Sequence, residues 1–342
     1  MNQSWRIRGA TLAAAAVGAA GFVALRLPLP LLLGPMMGCL VFALSGARLM
    51  GMGLVGTLMR AVLGVAIGST VTPQLVQDLP SHGPTLLMVP VFVLVIGAIG
   101  YPLLRRVLGF DHATAFYSAM PGGLQDMLIF GEEAGGDVRA MSLIHATRVL
   151  VIVTAAPFLM TLTYGLDLTG APGASAAEVP VAEQLLMVFA AVAGWKGAAR
   201  VGMFGASILG PLILTAVLSL AGLIHSRPPA EAIMAAQFFI GIEVGSKYAG
   251  ISGRELRVAV AAGVLFSLLL AAISLVFIEV ILQFSPAGPI EVMLAFLPGG
   301  QAEMAIIAIV AGADVAFVVA HHLLRVFIVI LIAPHVARWM GR

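Results

Sequence analysis

The chain has 342 residues, of which 61% are hydrophobic and only 10% charged, with a formal net charge of +2 and a mean hydropathy of +1.07. Because a soluble domain carries about 25% charged residues, this composition excludes a water-soluble globule and predicts an all-α polytopic membrane protein. The dispersed charge excludes a basic patch for nucleic acid, and the single cysteine, Cys39, excludes a disulfide framework or a thiolate metal site.

The first apolar stretch, near residues 9–25, follows Arg6 and Arg8 and is rich in Ala, Gly and Val. This pattern also fits a secretory signal peptide. However, "AVGAAGFVALRLPLPLLLGP" aligns with "VAGWKGAARVGMFGASILGP" in the middle of the chain. A cleaved leader would have no such counterpart, so we interpret this stretch as the first transmembrane helix.

The alignment is part of an internal duplication. Residues 120–159 match residues 297–336 without a gap, so the two copies keep a constant offset along the chain. Both copies contain Pro-Gly-Gly, then Ala-Gly-x-Asp-Val, then His-x-x-Arg. We therefore predict a first membrane repeat over 1–160, a linker over 161–182 and a second membrane repeat over 183–342.

Each repeat contains five hydrophobic stretches that could cross a bilayer. They lie near 9–25, 31–47, 53–71, 84–104 and 138–160, and near 184–200, 205–224, 230–249, 258–283 and 314–338. Residues 113–136 and 291–313 are also apolar, but Pro-Gly-Gly divides each into halves too short to cross. Irregular backbone at membrane depth must be buried in protein or line a cavity, so we predict one re-entrant helical hairpin per repeat.

The basic residues predict the orientation of the repeats. If Arg6 and Arg8 are cytoplasmic and the hairpins do not cross, Arg26 and Arg227 fall outside. The others named here fall at or near the cytoplasmic side: Arg48, Arg105, Arg106, Arg139, Lys196, Arg200, Lys247, Arg254, Arg257, Arg338 and Arg342. Because five spans is an odd number, the second repeat is inverted and both termini are cytoplasmic. The two hairpins then enter from opposite sides, and their tips can meet near the midplane, as in inverted-repeat transporters.

The two hairpin tips are candidate binding elements for an anionic group. A helix that starts after each break exposes unpaired N–H groups and the positive end of its dipole. Glycine also lets a ligand approach the backbone closely. The alternative is a tight turn that only packs. The candidate substrate-binding residues are Pro121, Gly122, Gly123, Gln125, Pro298, Gly299, Gly300, Gln301, Arg148 and Arg325.

Two His-x-x-Arg pairs follow the hairpins, His145 with Arg148 and His322 with Arg325. The spacing puts each pair on one face of its helix. The arginines could bind a substrate carboxylate or form buried ion pairs with nearby acids. The histidines could relay protons, or they could be hydrogen-bonded spectators.

Three acidic residues are further candidates for a coupling-ion or proton site, because carboxylates inside membranes are costly and usually functional. Asp126 and Glu303 lie in the first turn after each break, where they could instead cap the helix. Glu243 lies in Gly-Ile-Glu-Val-Gly, whose glycines could serve helix packing instead. Asp137 and Asp314 stand where the next helix starts and are predicted N-caps.

The paired hairpins, the two Ala-Gly-x-Asp-Val stretches and the His-x-x-Arg pairs resemble the AbrB family of bacterial inner-membrane proteins, over nearly the whole chain. The resemblance implies a duplicated hydrophobic domain in the inner membrane, and the labels that family members carry include regulation of gene expression and ammonia monooxygenase. The residues support neither chemistry directly, since no clustered histidines could hold the copper or iron of an oxygenase. The architecture also resembles elevator carriers such as bacterial glutamate and citrate symporters, a likeness that carries no substrate identity.

We therefore expect a secondary active transporter or permease for a small anionic solute, with its site at the midplane between the two tips. No Walker-type loop appears, and neither an enzyme activity nor a cofactor is expected. The expected partners are a small organic anion, a proton or sodium ion, the lipid bilayer and a second copy of the chain, without nucleic acid. The alternative is a membrane sensor that regulates gene expression indirectly through ligand binding, and a membrane oxidoreductase is a more distant one. A sensor is expected to carry a cytoplasmic output domain, and none is recognised, which favours transport.

Overall fold

The structure, a computed structural model, describes residues 2–203 and 205–341, and Met1, Phe204 and Arg342 lie outside the described residues. Within this part of the chain the regular elements are helical and there is no β-strand. The α-helices are α1 (Asn2–Ala24), α2 (Pro30–Leu44), α3 (Leu54–Gly68), α4 (Pro73–Asp78), α5 (Gly83–Pro102), α6 (His112–Ala119), α7 (Leu124–Glu133), α8 (Val138–Tyr164), α9 (Val181–Arg200), α10 (Ala206–Leu220), α11 (Ala230–Gly245), α12 (Gly253–Glu255), α13 (Ala261–Leu282), α14 (Pro289–Phe296), α15 (Gln301–Val310) and α16 (Val315–Met340).

Five helical stretches of the described chain are long and apolar enough to cross a membrane. They are Ser4–Ala24, Pro80–Val107, Val138–Tyr164, Gly253–Leu282 and Val315–Met340. Large apolar side chains point outward on them, such as Leu94, which is 69% exposed, and Leu268, which is 59% exposed. Water would disfavour such a surface, whereas lipid tails are as apolar as the side chains. The predicted all-α polytopic membrane fold is confirmed.

The helix boundaries recur at the offset of the sequence repeat. Helices α6 and α14 both have eight residues, α7 and α15 both have ten, and the second member of each pair starts at the position that the repeat assigns to it. Helices α2 and α10 both have 15 residues and each contains an internal proline. The two copies therefore build the same series of elements, while the inverted orientation of the second copy stays a prediction.

The chain divides into two compact units, and each unit draws on both predicted repeats. Unit 1 comprises Met1–Pro80, Pro157–Gly250 and Ala305–Ala316, and unit 2 comprises Ser81–Ala156, Ile251–Met304 and Phe317–Arg342. Unit 1 therefore contains α1 to α4 and α9 to α11. Unit 2 contains α5 to α7, α12 to α14, the first turn of α15 and most of α8 and α16.

Glycine contacts hold the helices of unit 1 close together. Helix α1 packs on α2 and α9 packs on α10, while α3 contacts α10 and α11 contacts α2. A Cβ built on Gly194 in α9 would lie 2.6 Å from the carbonyl oxygen of Gly210 in α10. Gly18 in α1 meets Gly34 in α2 in the same way. Only residues without a side chain allow two backbones to approach this closely, as is common in membrane helix pairs.

In unit 2, α6 and α7 form the predicted helical hairpin. The backbone N–H of Asp137, just after α7, donates to Oγ1 of Thr114 in the first turn of α6 at 2.7 Å. Further along, a Cβ built on Gly131 in α7 would lie 3.5 Å from Cβ of Tyr117 in α6. Because the end of α7 meets the start of α6, the two arms run antiparallel and the Pro-Gly-Gly stretch is the tip.

Asp137 is the N-cap of α8, as its position in the sequence predicted. Its Oδ1 accepts a hydrogen bond from the backbone N–H of Ala140 at 3.0 Å. Since loss of such a cap costs about 1 kcal/mol, we expect Asp137→Ala to lower the thermal unfolding temperature of the purified protein. Asp137→Asn keeps an acceptor oxygen and serves as the control. If both variants unfold at the same temperature as the unmodified protein, the cap contributes nothing to stability.

Candidate functional site

The two hairpin tips interrupt helices at equivalent positions. Helix α6 ends before Met120, which has φ −69° and ψ 129°, and α14 ends before Leu297, which has φ −71° and ψ 125°. These extended conformations are the ones that a following proline favours. Helix α7 then starts after Gly123, and α15 starts with Gln301. Each second arm therefore starts a helix at its tip, where the first N–H groups have no partner within the helix.

The two histidines each hold a long helix onto the first arm of a hairpin. Nε2 of His145 donates to the carbonyl oxygen of Tyr117 at 3.1 Å, and Nε2 of His322 donates to that of Leu294 at 2.9 Å. Tyr117 and Leu294 are themselves counterparts in the sequence repeat. A carbonyl oxygen can only accept, so both histidines carry a proton on Nε2.

The two arginines reach the backbone of the tips. Nη1 of Arg148 donates to the carbonyl of Met120 at 3.5 Å, and Nη2 of Arg325 donates to that of Gly299 at 3.4 Å. Both residues are 3% exposed. At such lengths these hydrogen bonds are weak. Each guanidinium therefore contacts a tip but keeps further N–H donors that this contact does not use.

His322 also orients Arg325. Nη2 of Arg325 lies 3.0 Å from Nδ1 of His322. Because Nε2 of His322 is the protonated nitrogen, Nδ1 is free to accept this hydrogen bond when the ring is neutral. The ring thus bridges the carbonyl of Leu294 and the guanidinium of Arg325. This geometry holds the guanidinium of Arg325 through His322, while the choice between a proton relay and a hydrogen-bonded spectator stays a prediction.

Several polar atoms at the two tips are buried without a hydrogen-bond partner among the described residues. They are Oδ2 of Asp126, Nδ1 of His145, Nε of Arg148, Nε2 of Gln301, and Nε and Nη1 of Arg325. The guanidinium and amide nitrogens are donors that require an acceptor, because an unmade buried hydrogen bond is costly. The structure thus concentrates unused donors beside the two tips.

The charges of the two arginines act on each other, and Glu303 acts on Arg148. Arg148, Arg325 and Glu303 belong to one compact unit although they come from different repeats. Two buried cations repel each other strongly where the dielectric constant is low. An anion with two or more oxygens could accept from both guanidinium groups and offset this repulsion.

The acidic candidates differ in their surroundings. Glu303 is 8% exposed, in the first turn of α15, and its carboxylate folds back against Gly300, where a side chain would collide with it. This is the position of a capping group. Asp126 lies in the first turn of α7 and is partly exposed. The side chain of Gln125 lies outside the described residues.

Glu243 has a different environment from the other candidates. It belongs to unit 1, where it forms an ion pair with Arg60 that spans the two repeats. Gly56 leaves the room that the carboxylate occupies. Sequence reasoning singled out Glu243 but not its pairing with Arg60. In the part of the chain that the structure describes, no group of three His, Cys, Asp or Glu side chains could hold a metal ion.

One buried ionisable residue in unit 2 was missed as a candidate. His321 contacts Thr85, which is 236 residues away along the chain. The sequence offers no signal for this contact, because His321 lies outside the His-x-x-Arg repeat and has Ile144 as its counterpart.

Comparisons with known proteins match most of the chain. A family model described as "Transition state regulatory protein AbrB" matches residues 31–341. A protein of Escherichia coli (strain K12) named "Putative regulator AbrB" is 28% identical over 336 residues, covering 94% of this chain and 92% of that protein. "Uncharacterized protein YhjN" of Bacillus subtilis (strain 168) is 26% identical over 302 residues, covering 80% of this chain and 76% of that protein.

Proposed function

The chain belongs to the AbrB family, and we propose that it is a secondary active transporter for a small oxyanion such as an organic carboxylate. The observation that carries the proposal is the pair of buried arginines, Arg148 and Arg325, whose unused donors lie beside two hairpin tips. A guanidinium matches the two oxygens of a carboxylate with parallel hydrogen bonds.

The solute site would lie within one unit. Both tips, both arginines and both tip acids belong to unit 2. The positive ends of α7 and α15 add to the attraction for an anion. Unit 2 could therefore hold the solute by itself, as the mobile part of an elevator carrier must. The anionic groups of the solute would be placed near the midplane of the inner membrane, with both termini in the cytoplasm.

The tip acids supply a physical basis for coupling. Glu303 competes with the solute for Arg148, because both offer negative charge to the same guanidinium. A cation bound at the carboxylate, either a proton or a sodium ion, would release the guanidinium to the solute. Cation and anion would then each raise the affinity for the other, as symport requires. Asp126 would act in the same way at the first tip.

Access to the tips tests the proposal without knowledge of the solute. In a Cys39→Ala background, single cysteines replace Gly122 or Gly299, and a membrane-impermeant maleimide is added from either side. We expect both tips to react from both sides, because a carrier alternates the access to its site. Gly170→Cys, in the exposed linker, is the control and should react from the outside only. If neither tip reacts from the side that its hairpin enters, the re-entrant arrangement is wrong.

A sensor is the second candidate, supported by the name of the Escherichia coli relative. The same arginines could bind an anion in a protein that reports its presence and does not move it. In that case each tip would react only from the side that its hairpin enters. This result would favour the sensor over the carrier.

A further inference from the structure

His321 lies in a buried hydrogen-bond chain near the start of α16. Its Nδ1 is 2.8 Å from the carbonyl oxygen of Phe317, and its Nε2 is 3.0 Å from Oγ1 of Thr85. The Thr85 hydroxyl is in turn 2.8 Å from the carbonyl oxygen of His82. His321 is 1% exposed and Thr85 is fully buried, so water does not supply alternative partners.

If His321 is neutral, one of these three contacts lacks a hydrogen. The carbonyl of Phe317 only accepts, so Nδ1 must carry a proton. The Thr85 hydroxyl has one hydrogen, which it can give either to the carbonyl of His82 or to Nε2 of His321. All three contacts are hydrogen bonds at the same time only if Nε2 also carries a proton, which makes the ring an imidazolium.

The hydrogen-bond chain through His321 and Thr85 therefore has two possible states. In the neutral state, the Thr85 hydroxyl donates to Nε2 of His321 and its contact with the carbonyl of His82 lacks a hydrogen. When one proton binds at Nε2, the hydroxyl rotates and donates to the carbonyl of His82 instead. Burial of the charge and the charges of His82 and His322 oppose this step, whereas the completed hydrogen bonds favour it.

We propose that the coupling proton binds at His321 and not at the tip acids Asp126 and Glu303, and that the Thr85 hydroxyl is its switch, an inference that rests on the proposed transport function. The added charge would sit one residue before His322, which orients Arg325. The titratable groups whose charges act here are His82, from the start of α5, and His322, on the same helix. From α14, the facing side chain is the apolar Phe296.

The position of this site also gives the direction of coupling. Under the orientation predicted from the basic residues, α5 and α16 both start at the outer side of the membrane. A proton from outside would then reach His321 before the arginines, and its positive charge would favour the anion at the same moment. The first repeat has no equivalent, because Ile144 occupies the matching position. The proton site would thus occur in the second repeat only.

The test measures the maleimide reaction rate of Gly299→Cys, from the side opposite to its hairpin entry, between pH 5 and pH 8. We expect the rate to change by about fivefold or more, the size of a typical coupling between two sites. His321→Gln and Thr85→Val should each remove this pH dependence, and Thr85→Ser should retain it. Ser274→Ala is the matched control, because it removes another buried hydroxyl of unit 2 that donates to a backbone carbonyl.

A pH dependence that survives in His321→Gln would overturn the inference, since the proton must then bind elsewhere. If the tips never exchange access at any pH, the proposed transport fails, and a second measurement on the same protein decides the proton site by itself. With ¹⁵N-labelled histidine, both ring nitrogens of His321 should show the protonated signal at low pH in Ser274→Ala but not in Thr85→Val. Equal spectra in these two variants would refute the role of Thr85.

Discussion

Arg325→Gln and Arg148→Gln are each expected to lower the affinity for the anionic solute by about 100-fold or more, because a charge-assisted, bidentate contact in a desolvated site is lost. Glutamine keeps a hydrogen-bond donor and much of the side-chain length but removes the charge. Lysine would be a poor substitute, since its ammonium cannot make two parallel hydrogen bonds to one carboxylate.

The same substitutions have an unusual expected effect on stability. Each guanidinium has buried nitrogens with no partner among the described residues, and the two cations repel each other. Replacing one of them by a neutral side chain relieves part of this cost. We therefore expect the solute-free variants to be at least as stable as the unmodified protein, although Arg325→Gln also removes the contact with His322.

Thermal unfolding with a panel of mono- and dicarboxylates measures both effects. A ligand that binds only the folded protein stabilises it by RT ln(1 + c/Kd), where c is the free ligand concentration, so the unfolding temperature rises as c exceeds Kd. The unmodified protein should be stabilised by a subset of the panel and the two variants by none. Arg139→Gln is the control, because Arg139 pairs with Glu255 at 2.7 Å on an exposed surface. Stabilisation of Arg325→Gln by the same carboxylate at the same concentration would contradict the assignment.

The repeating elements of the fold were predictable from the sequence for identifiable reasons. Pro-Gly-Gly stops a helix wherever it occurs, so the breaks at 120–123 and 297–300 follow from local chemistry. The N-cap at Asp137 is equally local. The constant offset between the two copies then predicts that whatever one copy forms, the other forms too.

The partners of the charged residues were not predictable, because they depend on contacts between distant segments. Arg60 pairs with Glu243 across the two repeats, although neither is the counterpart of the other. The acceptors of the site histidines are backbone carbonyls, which carry no sequence signature. The interleaving of both repeats in each compact unit likewise follows from tertiary packing, which no local pattern encodes.

Gly210→Ala is expected to destabilise the protein by about 3 kcal/mol, at the upper end of the usual cost of overpacking. A Cβ at this position would lie 2.6 Å from the carbonyl carbon of Gly194 and 2.7 Å from Cβ of Ala198. The backbone of α9 cannot move aside by a change of rotamer, so α9 and α10 must separate. Alanine is the better helix former by about 1 kcal/mol, which offsets only part of this loss.

Gly197→Ala, one turn along α9, is the matched control, since a Cβ there meets nothing within 4 Å. It should leave the unfolding temperature unchanged or raise it slightly, because only the gain in helix propensity remains. In the first copy, Gly34→Ala would place a Cβ 2.6 Å from Cα of Ala19, whereas Gly21→Ala meets nothing. In detergent, we therefore expect Gly210→Ala to unfold at a lower temperature than Gly197→Ala, and Gly34→Ala at a lower temperature than Gly21→Ala. If Gly210→Ala and Gly197→Ala unfold at the same temperature, close contact of glycine backbones is not what holds unit 1 together.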